Sequence, residues 1–146
     1  DMYANLLNLP LVVMHKRRIG EYGQTVEVGA IVGSVEGKRP IIVDDMISTG
    51  TTISTCAQAL LEAGALADIS VVATHGVLTL SSEEKLAIPE IKRIVITDTI
   101  PPHQASLASK TVVISVSELL AETVLRLHLG RSISALFRDW HEDYPV

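Results

Sequence analysis

The 146-residue sequence is poor in cysteine and in aromatic residues. Its single cysteine, Cys56, excludes an internal disulfide framework and is compatible with a reducing cytoplasm, which is the location that we expect. Aromatic residues make up only 3% of the chain, although 47% of it is hydrophobic. The core must therefore consist mainly of valine, isoleucine, leucine and alanine, a composition typical of buried parallel β-sheets.

The sequence also lacks an excess of basic residues and any long apolar run. The formal net charge is −5, so the chain has no electrostatic footprint for nucleic acid. No apolar stretch comes near the roughly 20 residues that a transmembrane helix needs. We therefore expect neither a nucleic-acid partner nor a membrane partner.

Short apolar runs alternate with segments of helical periodicity. The predicted strands are residues 11–14, 41–43, 69–73, 93–96 and 111–114. The predicted helices are residues 52–63, a short helix opened by a capping box at residues 81–84, and a last helix capped by Ser115 and Glu118. Residues 26–35 are predicted to be extended or one arm of a hairpin, and residues 19–25 to form a mobile loop. This alternation indicates an α/β fold with a parallel β-sheet flanked by helices.

The length of the chain suits one domain, so we expect residues 1–146 to form a single domain. The first seven residues already show apolar residues at helical spacing, which reads as part of a helix. We therefore expect the chain to be a fragment of a longer protein.

The segment from Ile42 to Thr52 carries the strongest chemical signal. A hydrophobic strand, two carboxylates at its C-terminal end and a loop of small residues that opens a helix follow one another. Ligands of open α/β sheets bind beyond the carboxyl ends of strands, and a helix N-terminus offers unpaired N–H groups. The pattern predicts phosphate binding by the loop, in which a glycine permits close backbone approach and hydroxyls donate: Ser48, Thr49, Gly50, Thr51 and Thr52.

The carboxylates Asp44 and Asp45 indicate that the ligand also carries hydroxyl groups. Ionised carboxylates only accept hydrogen bonds, so they are suited to hold the vicinal hydroxyls of a sugar. A divalent metal ion that bridges oxygens nearby would offset the repulsion between carboxylates and phosphate. The alternative interpretation is a solvated acidic turn that precedes an ordinary capped helix.

This segment resembles the phosphoribosyl diphosphate signature of type I phosphoribosyltransferases and their relatives. Four other stretches resemble one branch, the ribose-phosphate diphosphokinases (phosphoribosyl diphosphate synthetases): residues 16–18, 73–78, 97–101 and 119–137. The matches keep the order and spacing of that family and cover nearly all of the chain to about Phe137. The chain thus resembles the C-terminal, phosphoribosyltransferase-like domain of a synthetase whose N-terminal half is absent.

The resemblance implies a reaction and a role for each matching residue. The family transfers diphosphate from Mg-ATP to the 1-hydroxyl of ribose 5-phosphate and releases AMP. By position, Lys16 and Arg18 would be catalytic cations on a loop over the nucleotide, Asp44 and Asp45 would hold the ribose and the associated metal, and Ser48 to Thr52 would bind the 5-phosphate. Most of the ATP pocket would lie in the missing half, so the fragment alone would be inactive, and the parent protein would be a homo-oligomer.

Three positions depart from the family pattern. Many synthetases have aspartate where this chain has Ser48, a glycine where it has Thr51, and an acidic residue where it has His15. A β-branched residue adopts positive φ only at a high energetic cost, so Thr51 raises a question about the backbone of the phosphate loop.

Two other functions remain open at this point. A stand-alone phosphoribosyltransferase would need a hood segment for its base, and no such segment is evident before Lys16 or after Asp98. A non-catalytic regulatory homologue would bind synthetase subunits, although the retained Lys16 and Arg18 argue against it. We interpret His75 as structural and Cys56 as a small core residue, while Asp98 fits a turn and a ligand contact equally well.

Overall fold

The computed structural model describes the backbone of residues 2–19, 25–101 and 105–137, and their side chains except those of residues 16–19, 25–28, 105, 106 and 137. The chain separates into two compact units, one of Asp1–Leu11 with Ser115–Val146 and the other of Val12–Ile114. The second unit contains the sheet and the candidate site. The single domain that we expect for residues 1–146 stays a prediction.

The elements follow one another in the α/β order that the sequence predicts. The strands are β1 (Val13–Ile19), β2 (Thr25–Val32), β3 (Ile41–Ile47), β4 (Ile69–Gly76), β5 (Ile91–Thr97) and β6 (Thr111–Ile114). The helices are α1 (Met2–Leu6), α2 (Thr51–Glu62), α3 (Leu80–Leu86) and α4 (Ser117–His128), with 3-10 turns at Ala105–Lys110 and Ser134–Phe137.

Strands β3, β4, β5 and β6 form a four-stranded parallel sheet in that order, which confirms the predicted fold class. Ile42 pairs with Val71 and Val71 with Ile94, and all three side chains are buried. Burial of one such side chain stabilises a fold by about 1.5–3 kcal/mol. The near absence of aromatics is therefore met by an aliphatic core, as expected.

Helix α2 buries one face against this core. Ile53, Cys56, Ala57 and Leu60 are buried, and their spacing of three or four residues places them on one stripe. The helix ends in a Schellman motif, because the amides of Gly64 and Ala65 donate to the carbonyls of Leu61 and Leu60 at 3.0 Å each. The predicted helix and the interpretation of Cys56 as a core residue are both confirmed.

Strands β1 and β2 form an antiparallel hairpin. The prediction that the first strand ends at Met14 was wrong, because Lys16, Arg17 and Arg18 lie inside β1 and pair with β2. Backbone pairing with a later segment extends the strand, although the basic cluster shows no strand periodicity. Residues 20–24, the centre of the predicted mobile loop, lie outside the described residues.

The short helix α3 begins earlier than its predicted capping box. Its N-cap is Thr79 rather than Ser81, and the Ser82 hydroxyl donates to the carbonyl of Thr79 at 2.7 Å. Ser82 is fully buried. The helix ends at Leu86, before Pro89, as the sequence predicts.

The other unit contains α1 and α4. The predicted cap at Ser115 was wrong, because the N-cap of α4 is Val116 and no described side chain caps this end. The Ser115 hydroxyl lies one residue earlier and accepts a hydrogen bond from the amide of Ser117 at 3.2 Å. Glu122 and Arg126 form an ion pair of 2.7 Å one turn apart on α4. No residue of α4 is buried in the described structure. Among the described helices, none has both the length and the apolar character that crossing a bilayer requires.

Candidate functional site

The carboxyl ends of β3, β4 and β5 meet at one edge of the sheet, where Met46 pairs with His75 and His75 with Thr97. The sequence places the two aspartates after the strand, but the structure places Asp44 and Asp45 within β3, which continues to Ile47. Asp44 is half-buried and Asp45 is exposed, and the amide of Asp45 donates to Asp44 Oδ1 at 3.1 Å. The aspartates nevertheless lie near the ligand-binding edge that α/β folds use.

A register shift between β4 and β5 lies beside this pair of aspartates. It falls between Val72 and His75, and Asp44 pairs with Ala73 inside this interval. Such irregularities raise the local twist and redirect side chains. As a result Thr74 and His75 are both exposed, although they are consecutive residues of one strand.

The loop after β3 turns sharply into α2 at Gly50. Gly50 is the N-cap residue and has φ 74°, in the left-handed region that glycine adopts without steric cost. The doubt about Thr51 is thereby removed, because Thr51 is the first residue of α2 and the positive φ falls on Gly50. The structure thus assigns the conformational requirement for glycine to position 50.

The first turn of α2 has the features of an anion-binding terminus. No side chain caps this end among the described residues, and its first turn contains no acidic residue. The first backbone bond of the helix runs from the amide of Ser54 to the carbonyl of Gly50 at 2.9 Å. The amides of Thr51, Thr52 and Ile53 therefore precede the first intrahelical bond, where a phosphate is stabilised by N–H groups and by the helix dipole.

Two threonine hydroxyls of the loop are linked to each other and to a lysine. Thr49 Oγ1 and Thr51 Oγ1 are 3.1 Å apart, and Lys85 Nζ donates to Thr51 Oγ1 at 2.6 Å. Sequence reasoning missed Lys85, because no local pattern connects it to a loop 34 residues earlier.

Helix α3 packs directly against the phosphate loop. A Cβ added at Gly50 would lie 3.2 Å from Leu86 Cγ and 3.4 Å from Ser82 Cβ. The amides of Leu78 and Thr79 donate to the carbonyls of Ile47 and Ser48 at 3.0 and 3.1 Å. Backbone hydrogen bonds and close packing thus hold the loop against α3, and rigid elements position a binding site in this way.

Lys110 holds the C-terminal end of α3 in place. Its ammonium donates to the carbonyls of Leu86, Ile88 and Ile91 at 2.7, 3.1 and 3.1 Å. Burial lowers the pKa of Lys110 below its ordinary 10.5, the charge of Lys92 lowers this pKa further, and Glu90 opposes the shift.

Three predicted residues remain: His75, which lies at the edge of the sheet, and Lys16 and Arg18, of which only the backbone is described. His75 Nδ1 lies 2.8 Å from Thr99 Oγ1, so His75 has a structural partner at this edge. At the same edge Thr97 Oγ1 donates to the carbonyl of Thr74 at 2.7 Å. The backbones of Lys16 and Arg18 pair with Val28 and Val26, but their side chains lie outside the described residues. The described residues contain no group of three or more histidine, cysteine or acidic side chains that could hold a metal by themselves.

Comparison with known proteins identifies relatives of this chain. Residues 24–138 match the family described as phosphoribosyl synthetase-associated domain. The chain is 45% identical over 135 residues to the ribose-phosphate pyrophosphokinase of Caldanaerobacter subterraneus subsp. tengcongensis, covering 92% of this chain and 42% of that protein. It is 39% identical over 134 residues to ribose-phosphate pyrophosphokinase 1 of Streptococcus mutans, covering 92% of this chain and 41% of that protein.

A solved structure shows the same fold. The crystal structure of phosphoribosylpyrophosphate synthetase from Mycobacterium smegmatis matches with a TM-score of 0.74 at 33% sequence identity, over 88% of this chain and 40% of the other. The chain therefore spans about two fifths of the length of the relatives that it matches. It belongs to the phosphoribosyl synthetase-associated domain family and is homologous to the C-terminal part of ribose-phosphate pyrophosphokinases.

Proposed function

We propose that this chain is the ribose 5-phosphate-binding part of a ribose-phosphate pyrophosphokinase. The parent enzyme would transfer diphosphate from Mg-ATP to the 1-hydroxyl of ribose 5-phosphate, giving phosphoribosyl diphosphate and AMP. The observation that carries the proposal is the first turn of α2, which follows the left-handed Gly50, has no side-chain cap in the described structure and lies close to Asp44 and Asp45 in sequence. Membership in the family favours this function over a stand-alone phosphoribosyltransferase.

The loop would bind the 5-phosphate of the sugar. The first amides of α2 point along the helix axis and would donate to the phosphate oxygens, while the helix dipole favours the negative charge. The hydroxyls of Ser48, Thr49, Thr51 and Thr52 would add further donors. Because Gly50 has no Cβ, the loop can turn through a left-handed residue while it packs against Leu86 and Ser82, and this turn leads into the first amides of α2.

Asp44 and Asp45 would accept hydrogen bonds from the ribose hydroxyls. Two carboxylates in one short stretch favour a ligand with paired donors, since a bare phosphate would be repelled by them. The exposure of Asp45 leaves it accessible to a ligand that arrives from solvent.

The same two carboxylates fit a magnesium ion. Mg2+ in phosphoryl-transfer sites is held by one or two carboxylates together with substrate phosphates and water, so a larger cluster of acidic residues is not required. Asp44 and Asp45 would hold the ion directly or through water. When bound, Mg2+ would neutralise part of the charge on the phosphates.

Lys16 and Arg18 would stabilise the negative charge of the transferring phosphoryl group. Phosphoryl transfer depends mainly on positioning and on cationic stabilisation, for which an ammonium and a guanidinium are suited. Most of the ATP pocket would lie in the part of the relatives that this chain does not cover, so we propose that the chain alone is inactive. We also propose that the parent protein is a cytoplasmic homo-oligomer.

Calorimetric titration of the chain with ribose 5-phosphate and with inorganic phosphate, each with and without Mg2+, tests this proposal. The Asp45→Asn variant should bind ribose 5-phosphate about tenfold more weakly and inorganic phosphate no more weakly, because the sugar hydroxyls lose a charged acceptor while the anion loses a repelling charge. Glu36→Gln is the matched control, since Glu36 is an exposed carboxylate that precedes the amino end of β3.

The control variant should bind both ligands like the unmodified chain. The proposal fails if ribose 5-phosphate leaves the amide signals of Gly50, Thr51 and Thr52 unchanged in a nuclear magnetic resonance titration. It also fails if Asp45→Asn weakens both ligands equally.

A further inference from the structure

The segment that contains the phosphate loop and the two aspartates before it carries negative charge and no cation. The segment from Asp44 to Thr52 contains two carboxylates and neither lysine nor arginine. A phosphate bound there would meet like charge nearby, and backbone amides offset only part of this repulsion. A cation supplied from elsewhere in the fold would therefore strengthen binding.

Lys85 brings a cation to the loop. Its Nζ lies 2.6 Å from Thr51 Oγ1 in a partly buried contact, so among the described side chains it places an ammonium against the first turn of α2. A hydrogen bond with a charged donor is stronger than one between neutral groups. The contact also fixes the hydroxyl as the acceptor, because an ammonium has no lone pair.

The position of Lys85 is held by the surrounding packing. Helix α3 begins at residues bonded to the loop backbone, places Ser82 and Leu86 against Gly50, and ends on the Lys110 ammonium. A long lysine side chain on a free surface helix would have many rotamers. Here its stem starts from a helix that is packed against the loop it reaches.

The contact affects the hydrogens that the loop can offer to a ligand. Thr49 and Thr51 share one hydrogen bond at 3.1 Å, so one of their two hydroxyl hydrogens is left for another acceptor, whichever hydroxyl donates. Because Thr51 Oγ1 accepts its hydrogen bond from Lys85, the bond to α3 does not consume that remaining hydroxyl hydrogen. Polarisation by the ammonium also makes the hydroxyl pair a stronger donor.

We infer that Lys85 is a positioning residue of the proposed sugar-phosphate site and acts through Thr51 to direct and polarise the hydroxyl pair Thr49–Thr51 toward the bound phosphate. The inference rests on the proposed function and extends it to a residue outside the motif. It concerns a hydroxyl that is absent from synthetases with glycine at the position of Thr51.

A double-mutant cycle on the 146-residue chain tests this inference, with ribose 5-phosphate dissociation constants measured by calorimetry. Lys85→Met and Thr51→Val should each weaken binding about tenfold, because each removes one end of a charge-assisted hydrogen bond. If Lys85 acts through Thr51, the double variant should lose about 10- to 20-fold, well short of the roughly 100-fold that independent effects would give.

Conservative variants separate this role from a structural one. Lys85→Arg keeps a donor-only cation and Thr51→Ser keeps the hydroxyl, so each should bind within about threefold of the unmodified chain. Lys92→Met is the charge control, because Lys92 lies at the amino end of β5, whereas the loop follows the carboxyl end of β3. It should change affinity by less than about twofold.

Each outcome separates the two proposals. Independent losses in the double variant, or binding by Lys85→Met equal to that by Lys92→Met, would overturn the role of Lys85 while leaving the site intact. Absence of binding by the unmodified chain would overturn the proposed function and this inference together. Thr51→Val and Thr51→Ser decide the matter even where Lys85→Met does not fold, because equal affinities of these two variants would show that the hydroxyl has no role.

Discussion

Replacement of Gly50 by alanine should destabilise the chain more than replacement of any left-handed glycine that lies in open space. At φ 74° the added Cβ costs about 1–2 kcal/mol, and the lower conformational entropy of the unfolded alanine variant offsets about 0.4–1 kcal/mol of this cost. The Cβ would also lie 3.2 and 3.4 Å from two atoms of Leu86. Overpacking of this kind typically costs roughly a further 1–3 kcal/mol.

Gly37→Ala is the matched control for this prediction. Gly37 has φ +66° and no heavy atom within 4 Å of an added Cβ, so its replacement carries the backbone cost alone. We expect a loss of about 1 kcal/mol for Gly37→Ala and about 2–3 kcal/mol for Gly50→Ala.

Urea denaturation followed by far-ultraviolet circular dichroism measures both losses in free energy of unfolding. The same Gly50→Ala protein should bind ribose 5-phosphate more weakly, because relief of the contact between the Cβ and Leu86 must shift the loop that leads into the first amides of α2. Equal stability of the two alanine variants would refute the packing of α3 against Gly50. A Gly50→Ala variant as stable as the unmodified chain would refute the left-handed turn as well.

Two further predictions concern Lys110 and Lys16. Lys110→Met should lower the free energy of unfolding by about 1–2 kcal/mol, because three carbonyls between the end of α3 and the start of β5 lose a charged donor. Since burial lowers the pKa of Lys110 in the folded chain, the unfolded chain binds more protons between that lowered pKa and 10.5. The free energy of unfolding should therefore gain a rising contribution from Lys110 across this interval, which urea denaturation at several alkaline pH values would detect and which Lys110→Met should abolish. In the full-length parent protein, Lys16→Ala should lower turnover by at least about 100-fold while ribose 5-phosphate binding persists, with Arg17→Ala as the neighbouring control. Unchanged turnover of Lys16→Ala in an assay of AMP release would remove the catalytic role.

The fold was predictable wherever local periodicity and core packing agree. The stripe of Ile53, Cys56 and Leu60 defines α2 within one residue at each end, and Gly64 marks its stop. The strand at Thr111–Ile114 has the predicted bounds. In these segments a side chain's preference is satisfied by the element in which it lies, so sequence alone was sufficient.

The errors arose where a distant segment decides the local structure. β1 continues through its basic cluster because β2 supplies backbone partners, and α3 starts at Leu80 because its N-cap, Thr79, bonds to Ser48. Neither partner is visible in a short sequence window. For the candidate site, the motif predicted the loop and the aspartates, but the contact between Lys85 and Thr51 depends on how α3 packs.

The departure at Thr51 gains a physical explanation from this packing. A glycine is needed where the backbone is left-handed, and here that residue is Gly50, so the next position is helical and tolerates a β-branched side chain. Once a hydroxyl stands at position 51, it lies within hydrogen-bond distance of both Thr49 and Lys85. Threonine in place of glycine at position 51 therefore removes a conformational freedom that the loop does not need. It adds a polarised hydroxyl donor beside the N-terminus of α2. Affinity for the phosphate should accordingly depend on α3 as well as on the motif, which is why the coupling between Lys85 and Thr51 is the informative measurement.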